Sequence, residues 1–231
     1  MSSTQPRRRA AFISDIHGNF AALTAVLAEI DAMGIEEIFC AGDVAGYYSE
    51  VNECCDSLRA RGIPTVLGNH DWYLGGDGHC QRSKSANDCL DYQRKVVTDE
   101  NRAWLRSLPV AIEDELFRIV HGGWEDPIDE YLEPSAEYFD QLEGANFVSG
   151  HTHVQLSSKF GQRSYCNPGS VGQPRDGDPR AAFAEFLDGE FKLHRVAYDI
   201  DSVARKMEAA GFEEYYFGGL YSGAERLTRR L

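Results

Sequence analysis

Short apolar runs alternate along this chain with amphipathic stretches, a pattern that predicts α/β layers rather than a bundle of helices. Residues 20–33 carry apolar side chains at helical spacing and stop before Gly34, which predicts a first helix. A second helix is expected over Ser49–Ala60. The predicted strands are Ala10–Ser14, Glu37–Ala41, Thr65–Leu67, Leu116–Val120 and Ala145–Ser149.

Beyond residue 150 the pattern changes to hairpins. An Asp-Gly pair at 188–189 separates the apolar runs 181–187 and 191–198, and a Gly-Gln pair at 161–162 separates two shorter strands. This is more strand than a three-layer fold needs. We therefore expect an α/β (α+β) fold, a four-layer α/β/β/α sandwich of two stacked mixed sheets with helices outside.

No internal repeat or break in composition marks a second domain, so a single domain over residues 1–231 is expected. The polar segment His79–Asp91 is expected to be an excursion from the sheets or a lid. The aromatic segment Gly211–Leu231 is expected either to cover the core or to form a dimer contact, and the oligomeric state stays open.

Charge and cysteine content narrow the classes of partner and compartment. Among 231 residues, 23 Lys and Arg stand against 37 Asp and Glu, a formal net charge of −14, which disfavours non-specific nucleic-acid binding. The six cysteines include no CxxC pair, which indicates a reducing, cytoplasmic setting. Arg7, Arg8 and Arg9 are expected to be a solvated tail, because the apolar run after them is too short for an export signal. No run is long enough for a membrane span, so no membrane partner is expected.

Five short motifs follow predicted strands and combine metal-capable side chains with glycine. They are Asp15-Ile16-His17-Gly18-Asn19, Gly42-Asp43, Gly68-Asn69-His70-Asp71, His121-Gly122-Gly123 and Gly150-His151-Thr152-His153. Each alone is weak, but five in order at the sheet edge where α/β sites collect predict one shared metal site. Members two residues apart, such as Asp15 and His17, would point to the same side of extended backbone. The other two histidines, His79 and His194, are expected to be surface or hairpin residues.

Together these motifs resemble the calcineurin-like binuclear metallophosphoesterase family, whose pattern is DxH, GD, GNHD, H and GHxH. The similarity is closest to small bacterial phosphodiesterases. The Asp-Arg-Gly element typical of Ser/Thr protein phosphatases is absent, because Gly42-Asp43 continues into Val44-Ala45. The resemblance implies a metal-dependent phosphoesterase, above all a phosphodiesterase, that hydrolyses a small phosphodiester or activated phosphate ester by attack of a metal-bridging hydroxide.

Carried over residue by residue, the resemblance implies two divalent ions, from among Mn²⁺, Fe²⁺/Fe³⁺, Zn²⁺, Ni²⁺ and Co²⁺. One ion would take Asp15, His17, Asp43 and His153, and the other would take Asp43, Asn69, His121 and His151. Ligands of N and O type without thiolate suit such catalytic metals. His70 would face the substrate with Asp71 holding its ring, although a local turn or cap role for Asp71 stays open as the lesser alternative.

Residues around the motifs are expected to contact the substrate. Asn19 and Arg175 are candidates for the phosphate, although Arg175 could instead pair with Asp176 or Asp178. The aromatic residues Tyr47, Tyr48 and Trp72 could stack on a nucleoside or simply pack.

Three alternatives to a phosphodiesterase stay open at this point. One is a non-catalytic interaction module on the same fold, as a retromer subunit that resembles these enzymes is thought to be. Another is a phosphomonoesterase or a dinucleoside polyphosphate hydrolase. The third is a nuclease, which would need a basic groove for its substrate. The net charge of −14 disfavours this alternative.

Overall fold

The computed structural model describes residues 8–224 and consists of nine strands and seven α-helices over that range. The strands are β1 (Arg9–Ile13), β2 (Glu37–Cys40), β3 (Ala111–Glu113), β4 (Phe117–Val120), β5 (Asn146–Val148), β6 (Leu156–Phe160), β7 (Arg163–Asn167), β8 (Ala181–Leu187) and β9 (Glu190–Val196). The α-helices are α1 (Phe20–Ala32), α2 (Val51–Ala60), α3 (Asn69–Gly76), α4 (Lys84–Val96), α5 (Asp99–Ser107), α6 (Ala136–Asp140) and α7 (Ile200–Ala209). Two short 3-10 helices follow, at Glu214–Tyr216 and Gly218–Tyr221.

The strands form two mixed sheets. The first has the order β2-β1-β8-β9, in which β1 runs parallel to β2 and antiparallel to β8. The second has the order β3-β4-β5-β7-β6, in which β4, β5 and β7 run parallel and the two edge strands run antiparallel. In the register of the first sheet, Phe12 of β1 lies opposite Phe39 of β2 and Ala184 of β8.

Alternation along the central strands builds four layers, because successive side chains of a strand point to opposite faces of the sheet. In β1, Ala11 and Ile13 pack in a cluster with α1, α2 and α7, whereas Phe12 packs in another with Phe117 of the second sheet. In the second sheet, Phe147 packs under α6. The predicted α/β/β/α sandwich with outer helices is confirmed, while the single domain over residues 1–231 stays a prediction.

Two predicted segments differ in the structure. Thr65–Leu67 is not a strand: it makes one isolated bridge, between Cys40 and Thr65, before Leu67 N donates to Pro109 O at 2.7 Å and the chain leaves the sheet. Much of the polar segment His79–Asp91 belongs to α4, whose N-terminus is capped by the Ser83 hydroxyl.

Both ends of the described range are tied to the sheets. Arg8 pairs with Glu37 and Asp114, and Arg9 Nε donates to Glu185 at 2.7 Å. The solvated tail expected for these two arginines is therefore wrong, and Arg7 lies outside the described residues. At the other end, residues 211–224 cover the core, whereas 225–231 lie outside the described range. Between residues 8 and 224, none of the helices combines the length and apolar character needed to cross a membrane.

Candidate metal centre

The predicted ligands lie on loops that leave β1, β2, β4 and β5, and at the first residue of α3. Five of them have left-handed backbone with φ between 54° and 66°, namely Asp15, His17, Asp43, His151 and His153. Such a conformation costs a non-glycine residue on the order of 1–3 kcal/mol and is concentrated at functional sites. The expectation of extended backbone at the DxH and HxH pairs is wrong.

The predicted ligands form two adjoining groups, and His70 can meet His17 and Asp43 in a third that overlaps both. Asp15, His17 and His153 can meet at one point, and Asp43, His121 and His151 can meet at a second. His151 and His153 therefore belong to different groups although they are two residues apart. Asn69 joins the second group, with its Oδ1 at 3.2 Å from His121 Nε2.

The carboxylate of Asp43 lies between the groups. Its Oδ2 is 3.7 Å from His17 Nε2 on one side and 3.4 Å from His121 Nε2 on the other. All three side chains are buried. A single carboxylate in this position could be shared by two cations.

Hydrogen bonds to backbone carbonyls fix which ring nitrogens face the first group. His17 donates its Nδ1–H to Ala45 O at 2.8 Å, and His153 donates its Nδ1–H to Gln173 O at 2.6 Å. Both Nε2 atoms then carry lone pairs, and they face each other at 3.0 Å. Two facing lone pairs repel unless a cation lies between them, so this donor set fits a metal ion.

In the second group, the ring of His121 is held in the same way. His121 donates its Nδ1–H to Ala41 O at 2.8 Å, and its Nε2 lies 3.1 Å from His151 Nδ1. Burial opposes a charge on His121, yet the Asp43 carboxylate outweighs burial and raises the pKa of His121 to about 10. A positive charge is therefore favoured at this point, as a proton or as a metal ion.

His70 and Asp71 differ in their surroundings. His70 lines the cavity described below, burial lowers its pKa to about 4, and its Nδ1 has no hydrogen-bond partner among the described residues. Asp71 does not hold that ring: its carboxylate accepts from the backbone N–H groups of Asp43, Ala45 and Gly68 at 2.8–3.1 Å. Burial, and then the charge of Asp43, raises the pKa of Asp71 to about 7. Asp71 is therefore a local cap residue, the second of the two roles considered for it. Its carboxylate joins the loop of Asp43 and Ala45 to the start of α3.

Of the two residues predicted to contact the phosphate, only Arg175 lines the cavity. Asn19 is fully buried, caps α1 by accepting from Ala22 N at 3.1 Å, and donates to Gly172 O at 2.9 Å. It is thus a capping residue and not part of the cavity wall, because both ends of its amide are used inside the protein. Arg175 does line the cavity, where it donates to Tyr47 Oη at 3.1 Å and lies over that ring.

A cavity of about 520 Å³ opens above the two groups. The residues that line it include Asp43, Asn69, His70, His151 and His153, together with several tyrosines and two arginines. Tyr47 and Tyr48 are among the tyrosines, whereas the exposed Trp72 is not part of the lining. Tyr215 and Tyr216 place the C-terminal aromatic segment beside the cavity as well as over the core.

Sequence reasoning missed Gln93 of α4, which is fully buried. Its amide accepts from Gly46 N at 2.8 Å and donates to Gly46 O and Tyr48 O at 2.5 and 2.6 Å. These bonds hold Tyr47, at a φ of 22°, with its ring 4.7 Å from that of His17 and 4.9 Å from that of His70. No motif around Gln93 predicts this role. Gln93 lies in a polar helix, 47 residues along the chain from the Gly46 loop that it holds.

Residues 9–189 match the calcineurin-like phosphoesterase superfamily domain. The chain belongs to this superfamily. An uncharacterised protein of Methanocaldococcus jannaschii is 35% identical over 238 residues, which cover 92% of this chain and 97% of that protein. The predicted family is thereby confirmed.

Solved structures share the fold of this chain. A metallophosphoesterase from Sphaerobacter thermophilus is 33% identical with a TM-score of 0.83, over 94% of this chain and 99% of that one. A hypothetical protein from Pyrococcus horikoshii OT3 is 21% identical with a TM-score of 0.85, again over 94% and 99% of the two chains, and it shows the fold alone. A metallophosphoesterase fold with candidate metal-ligand groups is the description that these comparisons and the geometry share.

Proposed function

We propose that this chain is a metal-dependent phosphodiesterase that hydrolyses a small phosphodiester or activated phosphate ester. The observation that supports it most is the position of Asp43 between two groups of histidine and carboxylate ligands at the base of a cavity. Non-specific nucleic-acid binding is not part of the proposal, because the net charge of −14 would repel a long polyanion.

In the proposed site, Asp15, His17, Asp43 and His153 hold one cation, and Asp43, Asn69, His121 and His151 hold the other. Two divalent cations bound there would supply a nucleophilic hydroxide at neutral pH and offset the charge of the phosphate oxygens. The backbone carbonyls that accept from His17, His121 and His153 keep the ligand nitrogens directed at the centre.

His70 is the proposed contact for the leaving oxygen. It follows the proposed ligand Asn69 directly, and its Nδ1 is turned toward Gly46, whose added Cβ would lie 2.6 Å from that atom. The nitrogen at the other side of the ring, Nε2, is then the one available to the substrate. Tyr47 and Arg175 are proposed to bind the ester groups beside the phosphate.

The test compares hydrolysis of bis(p-nitrophenyl) phosphate and p-nitrophenyl phosphate by metal-free protein before and after addition of Mn²⁺. We expect activity only with metal, reversible loss on chelation, and a preference for the diester. Asp43→Asn should abolish the activity, whereas Glu143→Gln, which removes an equal charge from an exposed loop, should retain it.

Three outcomes would contradict the proposal in different ways. Metal binding without hydrolysis of either ester would favour a non-catalytic interaction module. Preference for the monoester, or for dinucleoside polyphosphates in a wider panel, would replace the diester by those substrates. Full activity of protein free of transition metal would refute metal dependence itself.

A further inference from the structure

His151 differs from the other three proposed histidine ligands in how its ring is held. The rings of His17, His121 and His153 each donate Nδ1–H to a backbone carbonyl and direct Nε2 inward. The ring of His151 is reversed, since its Nδ1 lies 3.1 Å from His121 Nε2. Its Nε2 therefore points away from the centre, where it is buried without a hydrogen-bond partner among the described residues.

The polar atom that faces this nitrogen is the carboxylate of Asp129. Asp129 Oδ1 lies 3.5 Å from His151 Nε2, and a shift of about 0.5 Å would bring the pair to ordinary hydrogen-bond distance. Asp129 is held in the loop after β4, where its backbone N–H donates to Asp126 Oδ1 at 3.2 Å. In the described contacts, the outward nitrogens of the other three histidine ligands, His17, His121 and His153, bond to backbone carbonyls and not to a carboxylate.

Two further side chains enclose this contact. Arg82, from the segment before α4, pairs with the Asp129 carboxylate and lies over the ring of Tyr131 at 5.2 Å. Tyr131 in turn packs on His151, with ring centroids 4.2 Å apart. Arg82 holds the carboxylate near the ring, and Tyr131 limits the rotation of the ring.

We propose that Asp129 is a positioning residue for the metal centre, which acts by accepting the Nε2–H of His151. A neutral imidazole carries one N–H, and a carboxylate at Nε2 places that hydrogen there and leaves the Nδ1 lone pair for the cation. The partner also makes Nδ1 a more basic ligand. This inference rests on the metal centre of the proposed function and adds the residue that selects the ligating nitrogen of His151.

The first test is calorimetric titration of metal-free wild type and variants with Mn²⁺. Asp129→Asn keeps the shape of the side chain but removes its charge, and we expect one of the two Mn²⁺ affinities to weaken by about 10- to 100-fold. The matched control is Glu125→Gln, which removes an equal charge from an exposed position of the same loop. Equal affinities for wild type and Asp129→Asn, with both proteins folded by circular dichroism, would overturn the inference.

A mutant cycle separates positioning from simple attraction of a cation by a nearby negative charge. In a His151→Ala background, Asp129→Asn should cause no further loss of Mn²⁺ affinity, because the ring on which Asp129 acts is gone. The same loss in both backgrounds would show that Asp129 acts through its charge alone and would refute the positioning role.

A spectroscopic readout reports the ring directly. In Zn²⁺-loaded protein labelled with ¹⁵N-histidine, His151 should carry its hydrogen on Nε2 and coordinate through Nδ1, and Asp129→Asn should change the Nε2 shift. Coordination of His151 through Nε2 would overturn the inference. Wild type that binds no metal would instead contradict the proposed function, so the two failures are distinguishable.

Discussion

Replacing Gln93 should destabilise the protein although its side-chain hydrogen bonds go to Gly46 and Tyr48, which are not proposed ligands. Gln93→Met keeps an unbranched side chain of similar volume, so the packing cost is small. The substitution removes three buried hydrogen bonds, to Gly46 N, Gly46 O and Tyr48 O. At roughly 1 kcal/mol for each bond, the free energy of unfolding should fall by about 3 kcal/mol.

The assay is urea unfolding of the metal-free protein, followed by circular dichroism at constant protein concentration. Gln141→Met is the matched control: Gln141 is exposed, makes one bond of 3.3 Å to Glu137 O, and should change the free energy by less than about 0.5 kcal/mol. A loss below about 1 kcal/mol for Gln93→Met would refute the reasoning, because the three carbonyl and amide groups would then have found other partners. The hydrolysis rate per folded protein should also decline, because the substitution removes the hydrogen bonds that hold Tyr47 beside His17 and His70.

Three further outcomes are expected. Asp43→Asn should lose both metal ions by elemental analysis, whereas His153→Ala should lose mainly one, and equal losses would count against a shared carboxylate. Asn19→Ala should lower the free energy of unfolding by about 1 kcal/mol through loss of the α1 cap, with kcat/KM per folded protein preserved. Burial alone would raise the pKa of Glu185, but its pairing with Arg9 lowers it below the ordinary value. The pair therefore stabilises the protein above the unfolded pKa of about 4.3 and loses this effect as the pH falls below it, so Glu185→Gln should flatten the decline of the melting temperature in acid.

The local pattern of apolar residues was enough to predict the strands and helices that bury one face. The apolar runs of β1, β2, β4 and β5 and the helical spacing in α1 mark these elements, because burial against a neighbouring layer demands apolar residues at fixed periods. The sequence did not predict helix α4, because its buried positions are few and lie among charged residues. Packing against α3 and the loop of Gly46 and Tyr48 decides which face of this helix is covered.

The candidate ligands were also predictable, because each motif combines its ligand with glycine at the end of a strand. What their side chains do depends on distant partners. The amide of Asn19 caps α1 locally and also donates to Gly172 O, 153 residues away, so neither end is left for the substrate. Asp71 binds backbone groups of the Asp43 loop, and His151 and His153 separate because left-handed backbone turns them to different groups.

Sequence by itself therefore determined the residue types that can hold metal, the order in which they occur and the layers that carry them. The tertiary structure decided which nitrogen of each ring faces the centre, and it placed Gln93 and Asp129 at the loops that they support. The physical reason is that contacts of this kind join residues 20 to 80 positions apart in the chain, and their geometry exists only after these distant segments have packed together.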